Sequence, residues 1–342
     1  MQTFTKEELK LIDLVEKGME GNGLSDDEMC ALYATDPRSR VASYIRWGGN
    51  ELAHASGDGL AEIHGQIGLN ASPCPKNCKY CSFALCNNPS KQRSELSVEE
   101  VLECAKLYCE EGVNAMVLMC TASYKFSKLL EMGQAVREVI PRDLPLLANC
   151  EDLTLERAKQ LKAAGFNGNY HAVRMREGVD TGIPEADRLA TFEAIRQAGL
   201  SLQTCVEPVG PEHTPEELTY YSRICINSGA NSAGVGRRVG VPGTQTYERG
   251  MITDLQNARN VAVYRLAAGR NPKLQCAMAT SLSAAAGANL SWAEVGTNPR
   301  DREVRTQNGG RGTNVALNRK FFEAAGWDIL EGPSQGWILD AQ

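Results

Sequence analysis

The sequence predicts an α/β protein, a (β/α)8 barrel of the TIM type with an N-terminal helical extension. Three observations carry this. Eight short apolar runs recur, at 63–71, 115–120, 144–150, 168–173, 201–207, 232–236, 273–279 and 288–294. Longer helical patterns separate many of them, at 97–111, 153–164, 185–198, 215–228 and 254–268. Several of those patterns end at Gly112, Gly165, Gly199 or Gly229, the C-cap glycine expected where a helix turns back into a strand. Repeated β-α units of this length imply a parallel sheet, and eight runs suggest closure into a barrel.

The elements follow in order. Residues 1–56 read as helices at 6–17, 26–35 and 37–55, a helical cap over one end of the barrel. Ser25 followed by Asp26, Asp27 and Glu28 is a helix start, with a cap residue and first-turn acids. The barrel and a C-terminal extension then occupy 57–342. The polar stretch 298–312, rich in Arg, Asn and Gly, reads as a loop; 314–326 is a final helix, and the last residues are irregular. No linker or low-complexity segment interrupts the chain.

Bulk composition narrows the classes. The chain has 342 residues, 42% apolar and 23% charged, ordinary for a globular protein. A net charge of −6 argues against a nucleic-acid polymer as partner. The N-terminus is a charged amphipathic helix without the apolar region of a signal peptide. No run approaches the roughly 20 apolar residues of a membrane span. Twelve cysteines without a secretory signal point to a reducing compartment and to metal use. The expectation is a cytoplasmic, oxygen-sensitive protein.

The chemistry concentrates in Cys74-Pro-Lys-Asn-Cys78-Lys-Tyr-Cys81. Three thiols within eight residues read as ligands to a cubane iron–sulfur cluster, with one iron left open for a small molecule. A zinc knot or a disulfide pair are the plain alternatives. Zinc knots come as two separated CxxC-like pairs, and this is one triplet. It follows the first apolar run, where a βα loop emerges at a barrel's active face.

The other nine cysteines divide. Cys30, Cys104, Cys109 and Cys225 lie in helical patterns and Cys86 in a loop, and all five read as packed or spare thiols. Cys120, Cys150, Cys205 and Cys276 fall in, or at the C-terminal end of, the second, third, fifth and seventh predicted strands. Strand side chains alternate between lumen and helix layer. Four thiols could converge in the lumen, and we expect these four to hold a second, four-iron cluster.

The CxxxCxxC spacing, with Tyr80 just before the third cysteine, resembles the radical S-adenosylmethionine (radical SAM) enzymes. The resemblance implies that Cys74, Cys78 and Cys81 hold a cluster whose open iron chelates SAM. It also implies that reductive cleavage yields a 5′-deoxyadenosyl radical. Further pieces resemble biotin synthase: residues 161–171, 199–205, the Pro-Gly-Thr turn at 242–244 and Ala-Gly-Ala-Asn at 286–289. That family inserts sulfur into dethiobiotin and draws on an auxiliary cluster held by three strand cysteines and an arginine. Cys120 and Cys205 match two of those cysteines. Cys150 lies about three residues from the third, and Cys276 stands at or next to the arginine. The resemblance therefore implies a variant with an all-cysteine auxiliary site, with Cys205 and Cys276 nearest the sulfur chemistry.

Other roles are carried over in the same way. Tyr80 would sit beside the adenine, and Thr121, Ala122 and Ser123 would approach the methionine part of SAM. Glu207 would meet its ribose or amino group. The arginine that holds the SAM carboxylate is not matched, leaving Arg174, Arg176 or Arg188 as substitutes. His171 would line the substrate cavity, while Arg237 and Arg238 would receive a substrate carboxylate. The implied partners are a small-molecule substrate, dethiobiotin first among them, and an electron donor such as flavodoxin or ferredoxin. A homodimer is compatible with this. The rival readings are a radical SAM mutase or cofactor-building enzyme, and a two-cluster electron carrier.

Overall fold

The strand β1 (Leu60–Gly68) is the seam at which the sheet closes on itself. It pairs with β2 (Ala115–Met119) on one side and with β9 (Leu290–Gly296) on the other, so that Gly65 faces both Met116 and Ala293. Between them run β3 (Leu146–Asn149), β4 (Gly168–Tyr170), β5 (Ser201–Gln203), β6 (Val206–Val209), β7 (Ser232–Arg237) and β8 (Leu274–Ala277). Every pairing is parallel, and β5 and β6 together fill the fifth position of a closed eight-position barrel. The computed structural model describes residues 3–71, 73–87, 95–278, 280–296 and 313–337. The expected loop at 298–312 and the final residues 338–342 lie outside the described residues.

The helices between strands begin where their caps predict. They are α4 (Val98–Glu110), α5 (Phe126–Arg137), α6 (Leu155–Ala163), α7 (Glu185–Gln197), α8 (Pro215–Asn227) and α9 (Asp254–Ala268). Reciprocal capping boxes open three of them, at Ser97–Glu100, Thr214–Glu217 and Thr253–Gln256. Gly165 follows α6 at φ 92°, a conformation that a side chain would strain.

One expected strand is not continuous. The run 201–207 breaks at Thr204–Cys205, and the register against β7 shifts between Val206 and Val209. Pro208, which has no N–H to give the ladder, lies within that irregular stretch.

Three N-terminal helices, α1 (Lys6–Lys17), α2 (Asp26–Tyr33) and α3 (Arg40–Ser56), pack on the outside of the barrel against α8 and α9. Tyr33 Oη meets Ser222 Oγ at 2.8 Å, and Arg259 donates to the Thr35 carbonyl at 2.6 Å. Gly49 lets α3 approach α9 so closely that a Cβ would stand 2.7 Å from Ala262 Cα. The short helix α10 (Ser281–Ala284) precedes β9, and α11 (Val315–Glu323) is the expected final helix. After it, β10 (Asp328–Ile329) pairs with the start of β1. Asn114 then donates to the carbonyls of Leu330 and Gly332, at the N-terminal end of β2. Trp337 packs on the inward residues Ala115, Val117 and Leu147 and closes that end of the lumen. The opposite, C-terminal end carries the cysteine triplet.

Candidate functional site

The triplet loop leaves the end of β1 and is held by its own backbone. Cys74 N donates to the Phe83 carbonyl at 2.7 Å, and Leu85 N to the Cys74 carbonyl at 3.0 Å. Asn87 gathers the turn from inside, its Nδ2 lying 3.2, 3.1 and 2.6 Å from the carbonyls of Cys78, Lys79 and Cys81. Asn77 takes a left-handed conformation at φ 53°, and its Oδ1 accepts from Cys86 N at 2.9 Å. Burial raises the Cys78 thiol, and it pushes Cys81 up to about 12, with Cys78 and Cys74 adding to the rise. Desolvation makes the Cys78 and Cys81 thiolates costly until a cationic centre takes them.

A single zinc ion fits this loop poorly. With sulfur at about 2.3 Å from zinc, three ligand sulfurs lie within about 4 Å of one another. Among the described residues, the set of three metal-type ligands lying within 4.8 Å of each other is Asp180, Glu212 and His213, not the triplet. The more widely spaced thiols suit a multi-iron cluster.

The residues around the triplet include several that the sequence singles out. Tyr80 has its hydroxyl raised well above the usual range by burial and by the neighbouring Cys78. Arg174, just after β4, lowers the ionisation cost of both Tyr80 and Cys78. Its guanidinium donates to Glu207, on β6, which also accepts from the Tyr170 hydroxyl. Arg174 also lies over the Tyr170 ring, 5.5 Å from its centroid. Thr121 is fastened to Asn70 at the end of β1: its N–H donates to Asn70 Oδ1 and its Oγ1 accepts from Nδ2, both at 2.9 Å. Thr121 and Ser123 share a 2.8 Å contact, and this stretch flanks the start of the triplet loop.

Two further salt-bridge groups hold the loop. Lys76 reaches Asp152 at 3.3 Å, and Asp152 also accepts from Arg188 at 2.7 Å and from His171 at 3.2 Å. Arg188 continues to Glu177 at 3.0 Å, and Glu177 accepts from the backbone N–H of Arg174 at 2.9 Å. Burial works against ionisation of Asp152. The His171 hydrogen bond and the charge of Arg188 outweigh it and hold the carboxyl well below its usual range. On the other side Lys79 lies 3.6 Å from Asp180, which Arg249 grips at 2.7 Å.

The sequence comparison adds to this geometry. No family model matches the chain. A biotin synthase of Legionella pneumophila is 26% identical over 211 residues, covering 58% of this chain and 66% of that one. A biotin synthase of Mycobacterium avium is 23% identical over 279 residues, covering 80% and 74%. At this low identity the chain resembles biotin synthases. It thus spans just under two thirds of the length of the Legionella relatives it matches. Two solved structures share the fold. Methylornithine synthase superposes with a TM-score of 0.76 at 16% identity, covering 94% of this chain and 98% of that one. The FeFe-hydrogenase maturase from Carboxydothermus hydrogenoformans superposes with a TM-score of 0.74 at 17% identity, covering 94% and 79%.

Several expected residues are placed elsewhere. His171 does not line the lumen. On β4 the inward side is that of Gly168 and Tyr170, so His171 points outward, edge-on to Phe192 of α7 and bonded to Asp152. Burial lowers its basicity and keeps it neutral. Arg238 is buried with its guanidinium on Glu212, at 2.5 and 3.0 Å, and on the Gly250 carbonyl. Arg237 pairs with Asp254 at the N-terminus of α9. Neither presents a free cation to the lumen. Arg188 is likewise spent on Asp152 and Glu177, and Arg176 on Glu217. Of the three candidate arginines, Arg174 bears most on the triplet: it acts on Cys78 ahead of Arg188, and on Cys81 as well.

The four strand cysteines do not form one set. Cys205 and Cys276 lie in the lumen, in a buried group with Tyr170, Ala172, Leu274 and Leu290. The Cys276 thiol donates to the Thr204 carbonyl at 3.6 Å. Cys120 shares its side of the chain with Met116 and Leu118, and Cys150 with Leu146 and Ala148. Both pack on the core between sheet and helices. Cys150 Sγ contacts Asn169 Oδ1 at 3.6 Å, on that outer side. The physical reason is the two-residue period: all four are on strands, but only two have the inward parity. In this arrangement the four thiols do not fit a single four-iron cluster.

The Asp180, Glu212 and His213 set is an ion-pair network. Arg249 binds both acids, and Arg238 binds Glu212, holding its carboxyl down at about 2 against the cost of burial. His213 Nδ1 accepts from Gly210 N at 2.9 Å, which leaves the proton on Nε2 and no lone pair for a cation. Nothing in the sequence pattern marked Asp152, Glu177 or Asn87, whose roles come from contacts far along the chain.

Proposed function

We propose that this chain is a biotin synthase-like radical SAM sulfurtransferase that converts dethiobiotin to biotin in the cytoplasm, reduced by a small electron-carrier protein such as flavodoxin or ferredoxin. The observation that carries the reading is the three-thiol loop at the C-terminal end of β1, with Arg174 and Tyr80 against it, in a chain whose curated relatives are biotin synthases. Cys74, Cys78 and Cys81 would hold the cluster. When bound, the cluster and SAM supply a carbon-centred radical able to remove hydrogen from an unactivated carbon. The chain's own residues do the rest. Asn87 and Asn77 shape the loop, and Lys76–Asp152 and Lys79–Asp180 pin its two ends. Arg174, Tyr170 and Glu207 form a charged, hydrogen-bonded rim between the loop and the lumen, placed to orient the polar end of SAM. The Trp337 closure excludes water from the opposite end.

The test is to incubate reconstituted protein with dethiobiotin, SAM and a reductant and to look for biotin by mass spectrometry. Formation of 5′-deoxyadenosine without biotin would move the reading to a different substrate. A second reading, a radical mutase or cofactor-building enzyme, is favoured by one observation: Arg237 and Arg238, the two cations expected to receive a substrate carboxylate, are paired with Asp254 and Glu212. No helix among the described residues is long and apolar enough to cross a membrane.

A further inference from the structure

The inward strand residues record where the lumen opens. Toward the closed end they are fully buried: His64 on β1, Val117 on β2 and Leu147 on β3 are at most 1% exposed. Two residues further along the same strands, on the same side, Gln66, Met119 and Asn149 are only half-buried. On β9 the half-buried inward residues are Trp292 and Glu294. Barrel wall surrounds these side chains, so their exposure is to a cavity that opens toward the cysteine triplet. Trp292 is its floor. It packs on the buried groups around both Leu290 and Val117 and stands edge-on to Tyr170, with ring centroids 6.4 Å apart.

The wall above that floor is built from polar, uncharged and acidic groups. Gln66 and Glu294 are register partners across the seam of β1 and β9, and Gln66 Nε2 donates to Glu294 Oε1 at 3.1 Å. A carboxylate only accepts, so this bond fixes the amide, with Nε2 toward Glu294 and the carbonyl Oε1 turned away from it. Asn149 faces the same space from β3, and its side chain makes no hydrogen bond to another described residue. Arg174, on the facing side, is bound to Glu207.

We propose that Gln66 and Asn149 form the subsite for the polar head of the substrate, with Glu294 as the residue that positions Gln66. The head it takes is one that donates N–H bonds, a ureide or an amine, and not a carboxylate. This deepens the radical SAM reading and rests on it only for which bound molecule reacts. A ureide would place an N–H on Gln66 Oε1 and its carbonyl on Asn149 Nδ2; an amine would use Gln66 Oε1 and Asn149 Oδ1. A carboxylate would set acceptor against acceptor at Gln66, so the acid end of a substrate points away from this wall. Met119 offers adaptable apolar surface to the carbon skeleton.

The experiment is anaerobic titration calorimetry on the reconstituted full chain with SAM present. Three ligands share one skeleton: dethiobiotin, its ring-opened diamine, and nonanoate, which keeps the acid and carries no N–H. At least one N–H ligand should bind about tenfold or more tightly than nonanoate, and which one does so tells ureide from amine. Gln66→Met and Asn149→Leu should each weaken that ligand about tenfold, with nonanoate and the thermal midpoint unchanged. Glu294→Gln should weaken it as well, and should add nothing in the double variant with Gln66→Met, because it acts through Gln66. Additive losses would remove the positioning role. Nonanoate binding as tightly as both N–H ligands, or wild-type affinity in Gln66→Met, would overturn the subsite. Binding needs no turnover, so the two readings fail separately. Biotin formation undiminished in Gln66→Met sinks the subsite alone, whereas Gln66-dependent binding without biotin sinks the sulfur-insertion reading alone.

Discussion

Cys205 and Cys276 on one side of the sheet, and Cys120 and Cys150 on the other, begin as the same residue type at the same kind of position. They end in different environments. The lumen pair lies among aromatic and apolar side chains. The outer pair closes the top of the core between sheet and helices. There, burial pushes Cys150 up to about 12 and, with Cys150 beside it, raises Cys120 well above its usual range. A thiol so raised is protonated at neutral pH and behaves as a small apolar group. One residue of parity decides whether a strand cysteine is chemistry or packing.

The comparison breaks most sharply at the iron. Cys78→Ala should abolish both cluster assembly and reductive formation of 5′-deoxyadenosine. Persistence of cleavage at the wild-type rate would remove the assignment of the triplet. In the wild-type protein, reconstitution should give about four irons per chain, one cubane. About eight, falling to about four in both Cys276→Ala and Cys150→Ala, would mean that the two pairs join around a second cluster after all.

The next largest effect tests what holds the loop above both pairs. Arg188→Ala leaves Asp152 and Glu177 without their shared cation in a mostly buried setting. The expected loss is about 3 kcal/mol of unfolding free energy, measured in urea. A loss under about 1 kcal/mol would show that Lys76 and His171 carry Asp152 without it.

Acid should act in two stages. His171 and His213 are both held neutral by burial, below the ordinary value of 6.5. The unfolded chain then binds protons that the folded chain refuses. Their contribution is present above about 6.5 and is lost as pH falls below it. Asp152 and Glu212 have depressed carboxyls, against ordinary values of 3.8 and 4.5. Their contribution is complete above those values and is lost as pH falls further, toward about 2 for Glu212. Thermal midpoints across this range should fall in that order, and His171→Phe should flatten the upper stage. The smallest effect belongs to Arg237→Ala. Its partner Asp254 is exposed, so stability should change by about 0.5 kcal/mol or less.

Much of the architecture was legible because it is local. Eight apolar runs, capping boxes and C-cap glycines locate strands and helices without any knowledge of neighbours, and the triplet lies in eight consecutive residues. The break in the fifth strand was less legible, since Pro208 lies just past the apolar run that suggested it. The site beyond the triplet was legible only in part. Arg174 and Glu207 can be picked out as polar groups at strand ends, and Tyr80 as the aromatic within the triplet. Asp152 and Glu177 look like any surface acid until Arg188 folds between them.

What the sequence by itself determined is the sequence of βα units, the place of the cysteine loop after the first of them, and the resemblance that names its chemistry. What only the tertiary structure decided is which side chains face which layer. His171, Arg237, Arg238, Cys120 and Cys150 each sit where a reader of the chain would place a lumen group, and each turns away from the lumen or is consumed by a distant partner. The reason is that a strand shows its side chains to both faces in strict alternation, while the exact phase is set by pairing with neighbouring strands. That phase is a property of the closed barrel, and no short stretch of sequence contains it.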